Sequence, residues 1–208
     1  DSARKSGVKL LVHTSSSEVY GSAKYVPMDE SHPLQGQSPY SASKIGGDKM
    51  AEAFHLAFDL PVVTIRPFNT FGPRQSSRAI IPTIITQSIA SSEIKLGNLN
   101  PTRDLTFVSD TVDGFITSAE YPEALGQTIN LGTGHETSIF DLATEIIKIV
   151  DKNIPVVQDR ARLRPPESEV DRLCADNTKA MDLLGWRPKV SLSDGLLHTI
   201  EWVTENIN

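Results

Sequence analysis

Two short, nearly continuous apolar runs constrain this chain most: VKLLV at 8–12 and LPVVTIRP at 60–67. Neither alternates with polar residues, which is the pattern of a parallel strand covered on both faces. Parallel neighbours need a crossover connection. The segment between the runs supplies one. A loop rich in Pro, Gly and Ser, VPMDESHPLQGQSP, leads into YSASKIGGDKMAEAFHLAF, where Ala42, Ile45, Met50, Ala53, Phe54 and Phe58 recur at roughly helical spacing. The unit reads as β-α-β, with that helix packed on the sheet.

Beyond Asn69 the regularity changes. RAIIPTIITQSIA predicts a helix entered or interrupted at Pro82, followed by a short strand, IKLGN, and a loop, NPTRD. TFVSDTVDGFITSAEY sets Val108, Val112, Phe115, Ile116 and Ala119 on one helical face. QTINLGTG is a further strand ending in glycine. In SIFDLATEIIKIV, Ser138 and Asp141 suit a capping box, while Ile139, Leu142, Ala143, Ile146, Ile147 and Val150 keep helical spacing. A strand, IPVVQ, an arginine-rich connector and a short helix, NTKAMDLLG, lead to a last helix from about Leu192, with Leu196, Ile200, Val203 and Ile207 on one face. The order is α/β: a piece of parallel sheet, then a smaller mixed lobe, with a cleft expected between them.

Composition narrows the partners. Lys and Arg number 20 against 26 Asp and Glu, a net charge of −6 with no basic run, which argues against nucleic acid. No apolar stretch approaches the ~20 residues of a membrane helix. DSARKSG is too polar for a secretory signal, so the expected location is the cytoplasm. Cys174 is the only cysteine and reads as a buried thiol. The five histidines show no metal-ligand spacing. A G-x-S-x-G elbow and a Walker loop are both missing from the sequence.

The chemistry gathers where strands end. YSASK places Tyr40 and Lys44 four apart, on one face of a helix. A phenol is a poor base near neutrality, but a fixed cation beside it favours the phenolate and allows proton exchange with a substrate hydroxyl. HTSSSEVYGS follows the first strand and RPFNTFGP closes the second. In an open parallel sheet both lie at the carboxyl edge, with the start of the helix.

The ordered series SSSEVYG, SPYSASK, RPFNTFGPRQ, PTRDLTFVSDTVDGF, INLGTG and LGWRP resembles the extended short-chain dehydrogenase/reductase superfamily, specifically its NAD-dependent nucleotide-sugar epimerases and dehydratases. The resemblance covers essentially the whole chain. It implies the C-terminal part of a Rossmann-like parallel sheet at 1–75 and a smaller mixed α/β substrate lobe, mainly 76–208, with some segments returning to the sheet. It further implies NAD as cofactor, a nucleotide-diphosphate sugar as substrate, and a homodimer of the full-length protein packed partly through the Tyr40 helix.

On that pattern Tyr40 removes the sugar 4-hydroxyl proton, Lys44 lowers its pKa and holds the nicotinamide ribose, and Ser16 hydrogen-bonds the same sugar oxygen. Ser15, Pro67 and Phe68 would lie along the cofactor. Asn69, Arg103 and Arg164 would meet the substrate diphosphate. Plainer readings stand beside these: Phe68 as core, Arg103 as a surface ion pair with Asp104, and the alternating Arg160, Arg162 and Arg164 as a solvated loop.

Glu18 discriminates between reactions. Once C4 is a ketone the C5 proton is acidic, and a 4,6-dehydratase needs a second base to take it, whereas a 4-epimerase does not. The dehydratase pattern has adjacent Asp and Glu here. This sequence offers Ser17 and Glu18, so either Glu18 also protonates the departing 6-hydroxyl or the reaction differs. The expected activity is a nucleotide-sugar 4,6-dehydratase, with 4-epimerase or glucuronate decarboxylase as alternatives and a non-catalytic nucleotide-sugar-binding module as the reading of another class. The G-x-x-G-x-x-G half that the resemblance implies is not in the sequence. The expectation is a piece of a longer protein that alone binds NAD poorly.

Overall fold

The computed structural model describes residues 1–163 and 165–206; Arg164 and Ile207 lie outside the described residues. A short helix, α1 (Ser2–Lys5), and a turn through Gly7 precede β1 (Leu11–Thr14). Val8 N–H closes that turn on Ala3 O, so the strand begins three residues later than the apolar run suggests. β1 pairs in parallel with β2 (Val62–Pro67), Leu11 opposite Val62, and β2 pairs in parallel with β6 (Thr128–Leu131), Thr64 opposite Thr128. The crossover is α2 (Pro39–Phe58). It starts sharply because Ser38 and Ser41 exchange side-chain-to-backbone hydrogen bonds in a capping box, with Pro39 as the first helical residue.

Past Phe68 the chain leaves this sheet and enters a second one. There β3 (Asn69–Phe71) lies parallel to β5 (Thr102–Phe107), which also pairs with β7 (Glu136–Ser138) antiparallel and with β9 (Arg172–Leu173) parallel. A two-stranded ribbon joins β4 (Ile94–Leu96) and β8 (Val156–Gln158). Three helices, α3 (Ile80–Ala90), α5 (Ile139–Ile149) and α7 (Leu192–Asn206), pack on one another around Ile84, Ile85, Leu142, Ile146, Leu196 and Ile200. The Ser138 cap of α5 forms as expected, its Oγ accepting from Asp141 N–H at 3.0 Å. Two helices cover the first sheet beside α2: α4 (Val108–Glu120) and α6 (Thr178–Leu184).

The faces that α2 and α4 bury are not the ones their apolar spacing predicts. Ser41, Asp48 and Ala51 are the buried positions of α2, while Met50 is 60% and Phe58 52% exposed. On α4, Thr111, Gly114 and Ser118 face inward, and Val112 and Ile116 are exposed. Close approach explains α4: a Cβ on Gly114 would stand 2.5 Å from Leu131 Cδ1. A helix so near a strand has room only for small residues.

Candidate active site

β1 ends at Thr14, and Ser15 N–H still bonds across to Ile65 O at 2.8 Å. Ser16 then turns the chain: its Oγ accepts from Glu18 N–H at 3.2 Å and caps a single 3₁₀ turn, Ser17–Tyr20. Capping uses a lone pair of Ser16 and leaves its O–H free to donate. Ser15 and Ser17, on either side of it, are both buried, each to 2% exposure. Gly21 leaves the turn at φ +64, where a Cβ would stand 2.5 Å from Gln37 Oε1; both facts require glycine.

The 3₁₀ turn packs against α2. Tyr40, in the first turn of that helix, is 52% exposed. Lys44 Nζ donates to Thr14 O at 3.0 Å and stands 5.8 Å from the Tyr40 ring centre. The ammonium is thus fixed between a strand end and the phenol that it was expected to activate.

On the side of the second sheet, Glu18, Asn69, Arg78, Arg103, Arg162 and Glu169 line one cleft of about 450 Å³. Asn69 opens β3, and its Oδ1 is buried without a hydrogen-bond partner. Arg103 Nη1 donates to Thr102 O at 2.8 Å, and Nη2 approaches Glu169 Oε1 at 3.7 Å. The plainer reading of Arg103 as an ion pair with Asp104 does not hold. Asp104 is wholly buried and accepts from Thr133 N–H, Thr133 Oγ1, Gly134 N–H and Ala175 N–H instead. Burial pushes the Asp104 carboxyl above its ordinary pKa, and these neutral donors only partly oppose it.

Phe68 is 2% exposed, and its ring packs in a cluster with Tyr20, Met28 and Leu173. Pro67, the last residue of β2, is partly exposed beside it. Tyr40 and Lys44 do not line the Glu18 cleft. A larger cavity, about 550 Å³ between α2, β2 and β6, contains none of the candidate residues; Asp48 and Arg66 line it with Glu30, Glu52 and His55.

Sequence reasoning missed the buried polar chain beneath the site. Tyr20 OH donates to Asn130 Oδ1 at 2.7 Å and accepts from Arg66 Nη1 at 3.0 Å. Arg66 Nε and Nη2 both reach Asp48 Oδ2 at 3.0 Å, and His13 Nε2 lies 3.0 Å from Asp48 Oδ1. Burial would raise the Asp48 pKa, but the hydrogen bond from His13 and the Arg66 charge override it and hold the carboxyl below its usual value. Burial drives the Tyr20 phenol up to about 12 despite Arg66. A signal was present: an arginine inside the apolar run VVTIRP is almost never buried unless paired.

The first sheet, the strand-end serines and the Tyr-Lys pair define a Rossmann-type short-chain dehydrogenase/reductase architecture. The profile of the GDP-mannose 4,6 dehydratase family matches residues 1–199, and the chain belongs to that family. A UDP-glucose 4-epimerase of Mycolicibacterium smegmatis is 36% identical over 97% of this chain and 64% of its own length. The dTDP-glucose 4,6-dehydratase DesIV of Streptomyces venezuelae, solved with NAD and TYD bound, superposes with a TM-score of 0.88 at 31% identity, over 98% of this chain and 62% of that one. A Bacillus cereus UDP-glucuronic acid 4-epimerase, in complex with UDP-glucuronic acid and NAD, gives 0.87 at 29%, over 95% and 62%. The chain spans about three fifths of the length of the relatives it matches. The family is NAD-dependent. Among the described residues no helix is long and apolar enough to cross a membrane.

Proposed function

We propose that the chain is the catalytic and substrate-binding part of a nucleotide-sugar 4,6-dehydratase. The observation that carries this reading is the place of Glu18: a carboxylate that shares the cleft with Asn69 and Arg103, where epimerisation at C4 would need none. Arg103 and Asn69 hold the diphosphate, with Arg162 and Arg78 in reach of the same cleft. Tyr40 takes the 4-hydroxyl proton, with Lys44 beside it and Ser16 donating to the sugar oxygen. NAD supplies the reversible oxidation at C4, and Tyr40 and Lys44 are the residues here that suit its ribose end. Glu18 then removes the C5 proton. The C5–H electron pair forms the C5–C6 double bond, the C6–O bond breaks, and Glu18 returns its proton to the departing oxygen as water forms; return of the C4 hydride to C6, with a proton from water added at C5, would complete the net loss of one water.

Ser17 favours a second reading. Buried beside Glu18, it offers no acid of its own, and a 4-epimerase needs neither group. Product mass decides, measured on a chain that includes the cofactor-binding half: a dehydratase product lacks one water, an epimerase product has the substrate's mass. In the first case Glu18→Gln abolishes water loss; in the second it leaves turnover nearly unchanged. Calorimetry on the present chain tests the binding reading directly. Affinity for a UDP- or dTDP-sugar with little for NAD is expected, and tight NAD binding overturns it. We further propose a homodimer through α2, whose Met50 and Phe58 stand exposed on one face of the helix with the exposed Ala53 and Ala57 between them.

A further inference from the structure

We infer that Tyr20, Arg66 and Asp48 are positioning residues that fix the Ser16–Glu18 turn against the helix of Tyr40 and Lys44. The inference rests on the catalytic reading of those groups. Tyr20 is the last residue of the 3₁₀ turn, two beyond Glu18, and is wholly buried. Its hydroxyl is held from two sides, by Asn130 of β6 and Arg66 of β2. Arg66 in turn grips Asp48 through two donors on one carboxylate oxygen. Asp48 lies one helical turn after Lys44, and its other oxygen meets His13 of β1. His13 precedes Thr14, whose carbonyl receives Lys44. The contacts therefore close a ring: strand end, Lys44, Asp48, Arg66, Tyr20, and back through the turn to the strand end.

Packing alone does not explain this ring. Apolar residues of similar volume would fill the space without desolvating a guanidinium, a carboxylate and a phenol. What the polar groups add is direction. A Phe in place of Tyr20 could rotate and slide against Phe68, 6.3 Å away, whereas a hydroxyl held by two partners sets the ring, and with it the backbone two residues from Glu18. Hence one guanidinium controls the separation between the carboxylate that would work at C5 and the phenol that would work at C4.

The test uses the chain as it stands, labelled with ¹⁵N and ¹³C. In Tyr20→Phe, the amide protons of Glu18, bonded to Ser16 Oγ, and Gly21, bonded to Glu18 O, should exchange about tenfold faster or more, and the Glu18 carboxyl carbon resonance should move. Trp186→Phe, which removes a buried N–H bonded to Asp110 O in the same sheet core, should lower global stability and leave both signals in place. Arg66→Lys should behave like Tyr20→Phe, since a point cation cannot grip Asp48 and Tyr20 with one planar fork. If it does not fold, Tyr20→Phe, which removes one oxygen, decides alone. Turn amides that accelerate only in step with global stability, with the Glu18 carboxyl signal unmoved, would overturn the proposal. Nucleotide-sugar affinity is read separately, so a failure of the functional reading shows there and not in these signals.

Discussion

Two buried aspartates, Asp48 of α2 against the first sheet and Asp104 of β5 within the second, are stabilised in opposite ways. Asp48 faces a guanidinium and an imidazole, and its carboxyl is held below the ordinary value. Asp104 faces only neutral donors, three amides and a hydroxyl, and burial raises it. The difference follows the job of each. Asp48 joins a helix to two strands through charge, while Asp104 gathers backbone: it ties the strand of Arg103 to the Gly132–Thr133–Gly134 loop and to Ala175. At Gly132 a Cβ would come 2.9 Å from Asp104 Oδ2 and 2.4 Å from the Ala175 Cβ, so the chain passes the carboxylate at that position only as glycine.

The contrast breaks first at Arg66. Arg66→Met leaves the Asp48 carboxylate buried without its main counter-charge, and the expected loss is about 3–5 kcal/mol in urea unfolding. Asp104→Asn keeps the shape but replaces an acceptor oxygen with an N–H₂ facing other donors, and about 1–3 kcal/mol should go. A loss at Arg66→Met no larger than that at Asp104→Asn would mean that His13 suffices for Asp48.

The pH dependence sharpens the same contrast. Asp48 has a folded pKa below its unfolded value near ~3.9, so its stabilisation is complete above that value and lost as pH falls through the folded pKa. Asp104 has a folded pKa above its unfolded value, so folding is favoured most below ~3.9 and that advantage is lost as pH rises through the folded pKa. Urea midpoints from pH 3 upward should show the gap between the parent chain and Asp48→Asn widening with pH. The gap to Asp104→Asn should narrow. Parallel curves would show that neither carboxylate shifts on folding.

How much of this was legible follows from what each signal measures. Parallel strands, the α2 crossover and the α5 cap were readable, because local composition and capping chemistry determine them. The buried faces of α2 and α4 were not. Apolar spacing marks what a helix could bury, but the approach distance to the sheet decides, and it selected Ala51, Gly114 and Ser118 over Met50 and Val112. At the candidate site, the strand-end serines, Glu18, Tyr40 and Lys44 could be singled out by position along the chain. Asp48, Arg66, Asn130 and Asp104 act across 18 to 110 residues of sequence; only the oddity of a charge inside an apolar segment hinted at them. Arg103 was found, but its partner Glu169, 66 positions away, was not.

The smallest expected effect comes from a third carboxylate, Glu136, which is joined to Arg172 across β7 and β9 and to Thr102 at 2.6 Å. Its pKa is lowered, chiefly by the Arg172 hydrogen bond, yet the pair lies where water and salt reach it, Arg172 being 49% exposed. Screening there removes most of what the same contact yields around Asp48. Glu136→Gln should move the urea midpoint only slightly, and the shift should vanish in high salt, whereas the Arg66→Met loss should persist. A salt-resistant effect at Glu136 would mean that its bond to Thr102, which pins the start of the Arg103 strand, matters more than its charge.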